Sequence, residues 1–256
     1  MKHTLTLAAW NIRLARRSLM LVWGVFAAQQ LALVVFRICW QGAAGMGLAS
    51  HYYVTMQIFA YLGFYLLTGL AAGLATHNSR RARSGYTWAT LPGTPVQKFT
   101  AKAITIAAAE LLFTAWQLVW YIVEFFPVTA LEGYLARKTY GEALPPANLY
   151  EQVVANNLFS RLLPRRPLQL VILLGILALS ALLLAALDTV RVWRKLPVFA
   201  VGGLCAWQCF YLVTVEQHPE WMFTSASRNV TMALAAVLAV LTVWWAVRSI
   251  RRGETC

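Results

Sequence analysis

Between Ala101 and Phe126 the chain reads AKAITIAAAELLFTAWQLVWYIVEFF, and this stretch decides the fold class. Within it only Lys102, Glu110 and Glu124 carry charged side chains. A helix of this length spans about 39 Å at about 1.5 Å per residue, whereas the hydrocarbon core of a bilayer is about 30 Å thick. The stretch is therefore predicted to cross a membrane as one helix.

Five further stretches have a similar length and apolar composition. The 256-residue chain is 60% hydrophobic and only 12% charged, with a mean hydropathy of +0.60, and this is too apolar for an ordinary water-soluble domain. The sequence predicts a single all-α polytopic membrane domain over residues 1–256, with no room for a soluble catalytic domain. The six predicted transmembrane helices cover residues 18–40, 52–76, 101–126, 168–188, 196–215 and 229–247.

The distribution of positive charge predicts the orientation. The chain has 22 Lys and Arg against 9 Asp and Glu, a formal net charge of +13 that in a soluble protein would suggest nucleic acid. Most of the basic residues fall on one side of the predicted spans, so no nucleic-acid partner is expected. The positive-inside rule predicts a multi-pass protein with both termini in the cytoplasm. Residues 1–17 are predicted to form an interfacial helix, with a basic tail as the alternative.

The third predicted span carries a polar stripe whose members recur at spacings of four, three, four and three. Such residues share one face of a helix, and carboxylates in a bilayer need a partner or water. The stripe is therefore predicted to face the bundle interior, a cavity or a second subunit. It either lines a substrate pathway or fixes helix packing by hydrogen bonds, and the spacing favours neither. The stripe consists of Glu110, Thr114, Gln117, Tyr121 and Glu124.

Arg37 and Glu124 lie near the predicted outer ends of their spans, at almost the same depth. An isolated charge at this depth is costly, so the two side chains are predicted to pair. Beyond them lies the longest stretch outside the spans, residues 127–167. Its residues 147–163 are bounded by prolines and are predicted to form a helix on the outer surface.

The segment between the second and third predicted spans ends in a helix-start signal. Pro92 and Gly93 end whatever helix precedes them. Thr94, Pro95 and Gln97 then have the order of an N-cap, a first-turn proline and a capping-box partner. The third helix is therefore predicted to begin near Pro95, before the bilayer, and to hold a stiff basic element on the cytoplasmic face.

The common catalytic motifs are missing from the sequence. It contains no G-x-x-x-x-G-K-[ST] phosphate loop, no H-E-x-x-H metal motif and no G-x-S-x-G nucleophile motif. No catalytic, cofactor-binding or metal-binding residue is predicted. We therefore do not expect the chain to be an enzyme or to hold a cofactor.

The loop before the third span resembles that of permease subunits of ABC transporters of the six-helix exporter type. The run from Thr90 to Phe99, followed by Lys102, is similar to the family pattern t-L-P-x-x-x-x-x-[KR]-F-x-x-[KR]. As architecture the likeness covers the whole chain, including the interfacial helix. It implies that the loop docks a separate ATP-binding subunit and that two identical or different permease chains form the pathway. The implied docking residues are Arg80, Arg81, Arg83, Leu91, Pro92, Lys98 and Phe99.

Three functions are compatible with these features. The first, which the resemblance implies, is a permease subunit of a bacterial plasma (inner) membrane that dimerises, recruits two copies of an ATPase chain and exports an amphipathic substrate by alternating access. The second is a membrane scaffold or assembly protein, in which the polar stripe only packs helices. The third is an ion-coupled transporter in which Glu110 carries a proton. The external loop departs from the family pattern, so the resemblance does not specify the substrate.

The predicted orientation is testable with single cysteines and an impermeant thiol reagent on intact cells. Cysteines introduced by Ser84→Cys and Gly253→Cys are expected to be shielded, because both positions lie on the basic side. A cysteine introduced by Gly141→Cys is expected to be labelled. Labelling of position 84 from outside would contradict the predicted orientation.

Overall fold

The computed structural model describes residues 2–42, 45–75, 93–141, 147–163 and 167–187, with separate helical positions between 230 and 248. The secondary structure of these residues is helical and contains no strand, so the all-α prediction is confirmed for them. The helices in chain order are α1 (Lys2–Trp40), α2 (Leu48–Val54), α3 (Gln57–Leu74), α4 (Pro95–Tyr140), α5 (Leu149–Ala155), α6 (Asn157–Leu162) and α7 (Pro167–Leu187).

Three helices are long and apolar enough to cross a membrane, and they coincide with the first three predicted spans. These segments are Thr4–Trp40 in α1, Gln57–Leu74 in α3 and Val96–Tyr140 in α4. A shorter apolar stretch, Leu173–Ala185, lies in α7 at the fourth predicted span. The fifth predicted span, residues 196–215, lies outside the described residues, as does most of the sixth, residues 229–247.

The N-terminal segment is the first part of α1 and not a separate interfacial helix. No Gly or Pro interrupts residues 2–23, so nothing in the sequence ends the helix before the apolar run. Leu7 and Ala8 are buried against Ala101 near the start of α4, and the Thr105 hydroxyl donates to the Ala8 carbonyl at 3.3 Å. Contact with α4 therefore holds this segment in the protein.

The helix at the second predicted span begins later than the predicted residue 52. Tyr52 belongs to the short helix α2, and α3 starts only at Gln57. Between them Met56 has a φ of 51°, a left-handed conformation that an α-helix cannot contain. Gly47, before α2, has a φ of 76°. The periodic apolar pattern runs through these turns, and this explains why the sequence predicted one helix.

Helix α4 begins at the residue that the sequence predicts, Pro95. The Thr94 backbone N–H donates to Gln97 Oε1 at 3.0 Å, and the Gln97 N–H donates to Thr94 Oγ1 at 3.3 Å, which forms the predicted capping box. The helix begins at Pro95 and runs for 46 residues to Tyr140, through Pro127. It therefore continues well beyond the predicted end of the third span at residue 126.

The chain forms two compact units. The first contains residues 1–20, 66–111 and the described residues beyond 165, and the second contains residues 21–65 and 112–164. The core of the second unit is aromatic. Phe113 lies with its ring centroid 5.3 Å from that of Phe26 and 5.5 Å from that of Tyr61. The Tyr61 and Thr114 hydroxyls are 2.7 Å apart and join α3 to α4 in this unit.

Close helix contact in the first unit depends on Gly69 of α3. A Cβ atom built at Gly69 would lie 2.6 Å from Glu110 Oε1 and closer still to Leu184 Cδ1. One turn on, a Cβ at Gly73 would lie 3.4 Å from Ile106, which is ordinary contact. The absence of a side chain at residue 69 is therefore what lets α4 and α7 approach α3.

Gly69→Ala is expected to destabilise the protein by about 1–3 kcal/mol, because the added methyl group overpacks the contact with Leu184 and Glu110. Gly63→Ala is the matched control in the same helix, since a Cβ there meets nothing within 4 Å. The control should be neutral or stabilising, by up to about 1 kcal/mol, because alanine favours helix. Thermal unfolding of the detergent-purified variants, followed by circular dichroism, measures both, and equal effects would contradict the packing argument.

Candidate functional site

The polar stripe of α4 faces the protein interior, as predicted. Glu110, Gln117 and Tyr121 are 0% exposed, Glu124 is 1% exposed, and Thr114 is half-buried. The opposite face of the same helix is apolar and exposed, with leucines and valines at positions 111, 112, 119 and 123. A helix with polar groups inside and apolar groups outside is the arrangement that a lipid environment favours.

Glu124 is joined to α2 by a hydrogen bond. The Tyr52 hydroxyl donates to Glu124 Oε2 at 2.7 Å, and Glu124 Oε1 has no hydrogen-bond partner among the described residues. Burial, together with the Glu124 carboxylate, raises the pKa of the Tyr52 phenol well above its ordinary value. Tyr52 therefore keeps its proton and acts as the donor.

A second carboxylate, two turns further along α4, is also joined to α2. Glu132 Oε1 lies 2.7 Å from His51 Nε2 and accepts from the Gly47 backbone N–H at 3.2 Å. This is the one ion pair among the described residues, charged when His51 is protonated. The sequence does not predict this pair, because the third predicted span ends at residue 126, before Glu132. The continued spacing of four from Glu124 through Val128 to Glu132 was the available signal.

The predicted helix over residues 147–163 is two short helices, α5 and α6, separated at Asn156. The Asn156 side chain caps α6 by accepting from the Leu158 N–H at 2.8 Å. In α5, Gln152 Oε1 accepts from the Ala49 N–H of α2 at 2.9 Å, and the Gln152 carbonyl accepts from the Tyr121 hydroxyl at 3.1 Å. These bonds tie α5 to both α2 and α4.

The predicted pair of Arg37 and Glu124 is wrong. Arg37 Nε donates to Gln41 Oε1 at 3.3 Å, and another guanidinium nitrogen lies 3.8 Å from Met46 Sδ. Glu124 instead accepts from Tyr52. Equal depth along two helices does not bring side chains together unless they also face each other.

Glu110 belongs to the other compact unit, where it contacts α7. The Ser180 hydroxyl donates to Glu110 Oε2 at 2.7 Å. The stripe residues from Thr114 to Glu124 belong to the second unit, so the stripe contributes to both units.

The implied docking residues lie mostly outside the described residues. This applies to five of them, Arg80, Arg81, Arg83, Leu91 and Pro92. Lys98 and Phe99 are in the first turns of α4, where Lys98 is half-buried and Phe99 is only 8% exposed. Phe99 therefore packs inside the protein and is not an exposed contact.

Among the described residues, no three His, Cys, Asp or Glu side chains form a group that could hold a metal ion. No family model, curated protein or solved structure matches the chain. The description of function therefore has to come from the residues themselves.

A double-mutant cycle tests the partner of Glu124. Tyr52→Phe and Glu124→Leu are expected to be coupled by about 1–2 kcal/mol in unfolding free energy, because each removes the same buried hydrogen bond. The control cycle pairs Arg37→Gln with Glu124→Leu and should be additive within about 0.5 kcal/mol. Coupling in the control cycle together with additivity in the first cycle would instead support the predicted pair of Arg37 and Glu124. Denaturant unfolding in detergent measures both cycles.

Proposed function

We propose that the chain is the permease subunit of an ATP-driven ABC exporter, which forms a substrate pathway across the plasma membrane and docks a separate ATPase chain. In this proposal the protein has six transmembrane helices with both termini in the cytoplasm, and two permease chains assemble in the bilayer. The substrate is amphipathic, and the chain itself does no covalent chemistry.

The continuity of α4 is the observation that supports this proposal best. A single helix runs from the capping box at Thr94, directly after the proposed docking loop, to the buried polar residues ending at Glu132. A helix without a break transmits a displacement along its axis better than a jointed segment does. Movement of the loop on an ATPase would therefore reach Glu110, the stripe residue of the same unit, through a continuous helix.

A second candidate, a membrane scaffold without transport activity, is favoured by a different observation. Several polar side chains of the second unit find hydrogen-bond partners within the chain, including Glu132 with His51 and Gln152 with the backbone of α2. Such bonds are common in helical bundles and serve to fix packing. The two candidates differ in whether an ATPase binds the chain.

The test substitutes one apolar residue in the proposed docking loop, with a matched control elsewhere. Leu91→Ser removes an implied docking contact, whereas Leu5→Ser alters a leucine of α1 that is 54% exposed. Phe99 is unsuitable for this purpose, because its burial means that a polar residue there would perturb the start of α4.

Tagged full-length variants are expressed in the natural host and purified. Co-purifying proteins that carry a phosphate-binding loop are quantified by mass spectrometry, and the ATP hydrolysis of each preparation is measured. Loss of one apolar anchor is expected to reduce the recovered ATPase about tenfold for Leu91→Ser. Leu5→Ser should recover the same amount as the natural sequence. Absence of any ATPase from the natural protein, or equal recovery from both variants, would favour the scaffold.

A further inference from the structure

Glu124 is a buried carboxylate without a basic partner. It lies in aromatic surroundings with Tyr52, Tyr121 and Phe125, and it accepts one described hydrogen bond, from Tyr52. Nearby charges are engaged elsewhere, since His51 pairs with Glu132. A lone charge in such a site is expensive, and proteins keep intramembrane carboxylates of this kind for binding or transfer of ions.

A small cavity adjoins Tyr52. Its volume is about 10 Å³, which is room for one water molecule, and it is lined in part by Gln57 and Asn156. Both side chains are 0% exposed, and neither Gln57 Oε1 nor Asn156 Nδ2 has a hydrogen-bond partner among the described residues.

The cavity is close to the protein surface. Tyr53 and Met56 also line it, and they are 67% and 63% exposed. Tyr52 lines the same cavity and donates to Glu124. One residue thus contacts both a cavity near the surface and the buried carboxylate.

We propose that Glu124 is a proton-binding site that exchanges with solvent through this cavity and the Tyr52 hydroxyl. A hydronium ion in the cavity gives a proton to Tyr52 Oη while the original phenolic proton moves to Glu124 Oε2. The O–H bond of Tyr52 is broken and remade, so that the phenol is unchanged. The carboxylate becomes a neutral carboxyl group, and the hydronium ion becomes water.

Other ionisable groups around Glu124 are few among the described residues. Tyr121 lies on its own helix, Tyr52 on α2 and Arg37 on α1, where the guanidinium contacts Gln41 and Met46. The pair of Glu132 and His51 joins α4 to α2 further along, and on α5 the acidic residue is the exposed Glu151. None of these is hydrogen-bonded to Glu124 Oε1.

Proton binding also changes the attachment of α2 to α4. A hydrogen bond from a phenol to a carboxylate is about twice as strong as one between neutral groups. Neutralising Glu124 therefore weakens the bond from Tyr52, while the bonds of Glu132 to α2 stay as they are. The inference goes beyond the proposed export function and needs no ATPase, so either can fail without the other.

The experiment is difference infrared spectroscopy of the purified full-length chain in lipid nanodiscs across a pH titration. The natural protein is expected to show a pH-dependent band of a protonated carboxyl group, and Glu124→Gln should remove that band. Glu132→Gln is the matched control, a second buried carboxylate on the same helix, and should keep it. Glu124→Asp should shift the band and not abolish it, so a folding defect of the Gln variant does not decide the result.

The route is tested by the rate of proton uptake after a pH jump. Tyr52→Phe removes the relay hydroxyl and is expected to slow uptake by on the order of a hundredfold while the band remains. Tyr53→Phe, at the neighbouring exposed position on the same cavity, should leave the rate unchanged. A pH-dependent band that survives in Glu124→Gln, the absence of any such band, or equal rates in Tyr52→Phe and Tyr53→Phe would overturn the proposal.

Discussion

The hydrogen bond from Tyr52 to Glu124 is the contact on which the arrangement of the second unit depends. An apolar environment cannot solvate the carboxylates of α4, so each must find its partner inside the protein. For Glu124 this partner is a residue of α2, a helix of only seven residues that cannot be stable alone. One hydrogen bond thus gives the buried carboxylate a partner and attaches the short helix to α4.

Local features of the fold were predictable, because short-range chemistry determines them. The capping box of Thr94 and Gln97 starts α4 at the predicted residue, and the spacing from Glu110 to Glu124 correctly predicts a buried face. The breaks around α2 were not predictable from hydropathy. They depend on backbone conformation at Gly47 and Met56, which an averaged apolar pattern does not report.

Partners of the polar residues were the least predictable part, because they are non-local. Depth alone suggested Arg37 for Glu124, yet depth does not specify which way a side chain faces around its helix. His51 and Glu132 are 81 positions apart in the sequence, and no spacing rule connects them. Only the continuation of the stripe past Pro127 pointed to Glu132. A proline inside a helix usually kinks or ends it, but α4 continues through Pro127.

The polar stripe is also not uniform, and this bears on whether it packs helices or binds a ligand. Glu110 accepts from Ser180 where Gly69 permits close approach of three helices, so its surroundings leave little space. Glu124 instead accepts from Tyr52, a residue that also lines a cavity near the surface. A single helix face therefore combines a tightly packed carboxylate with one placed for exchange. Whether a polar residue packs helices or binds a ligand is therefore a separate question for each member of the stripe.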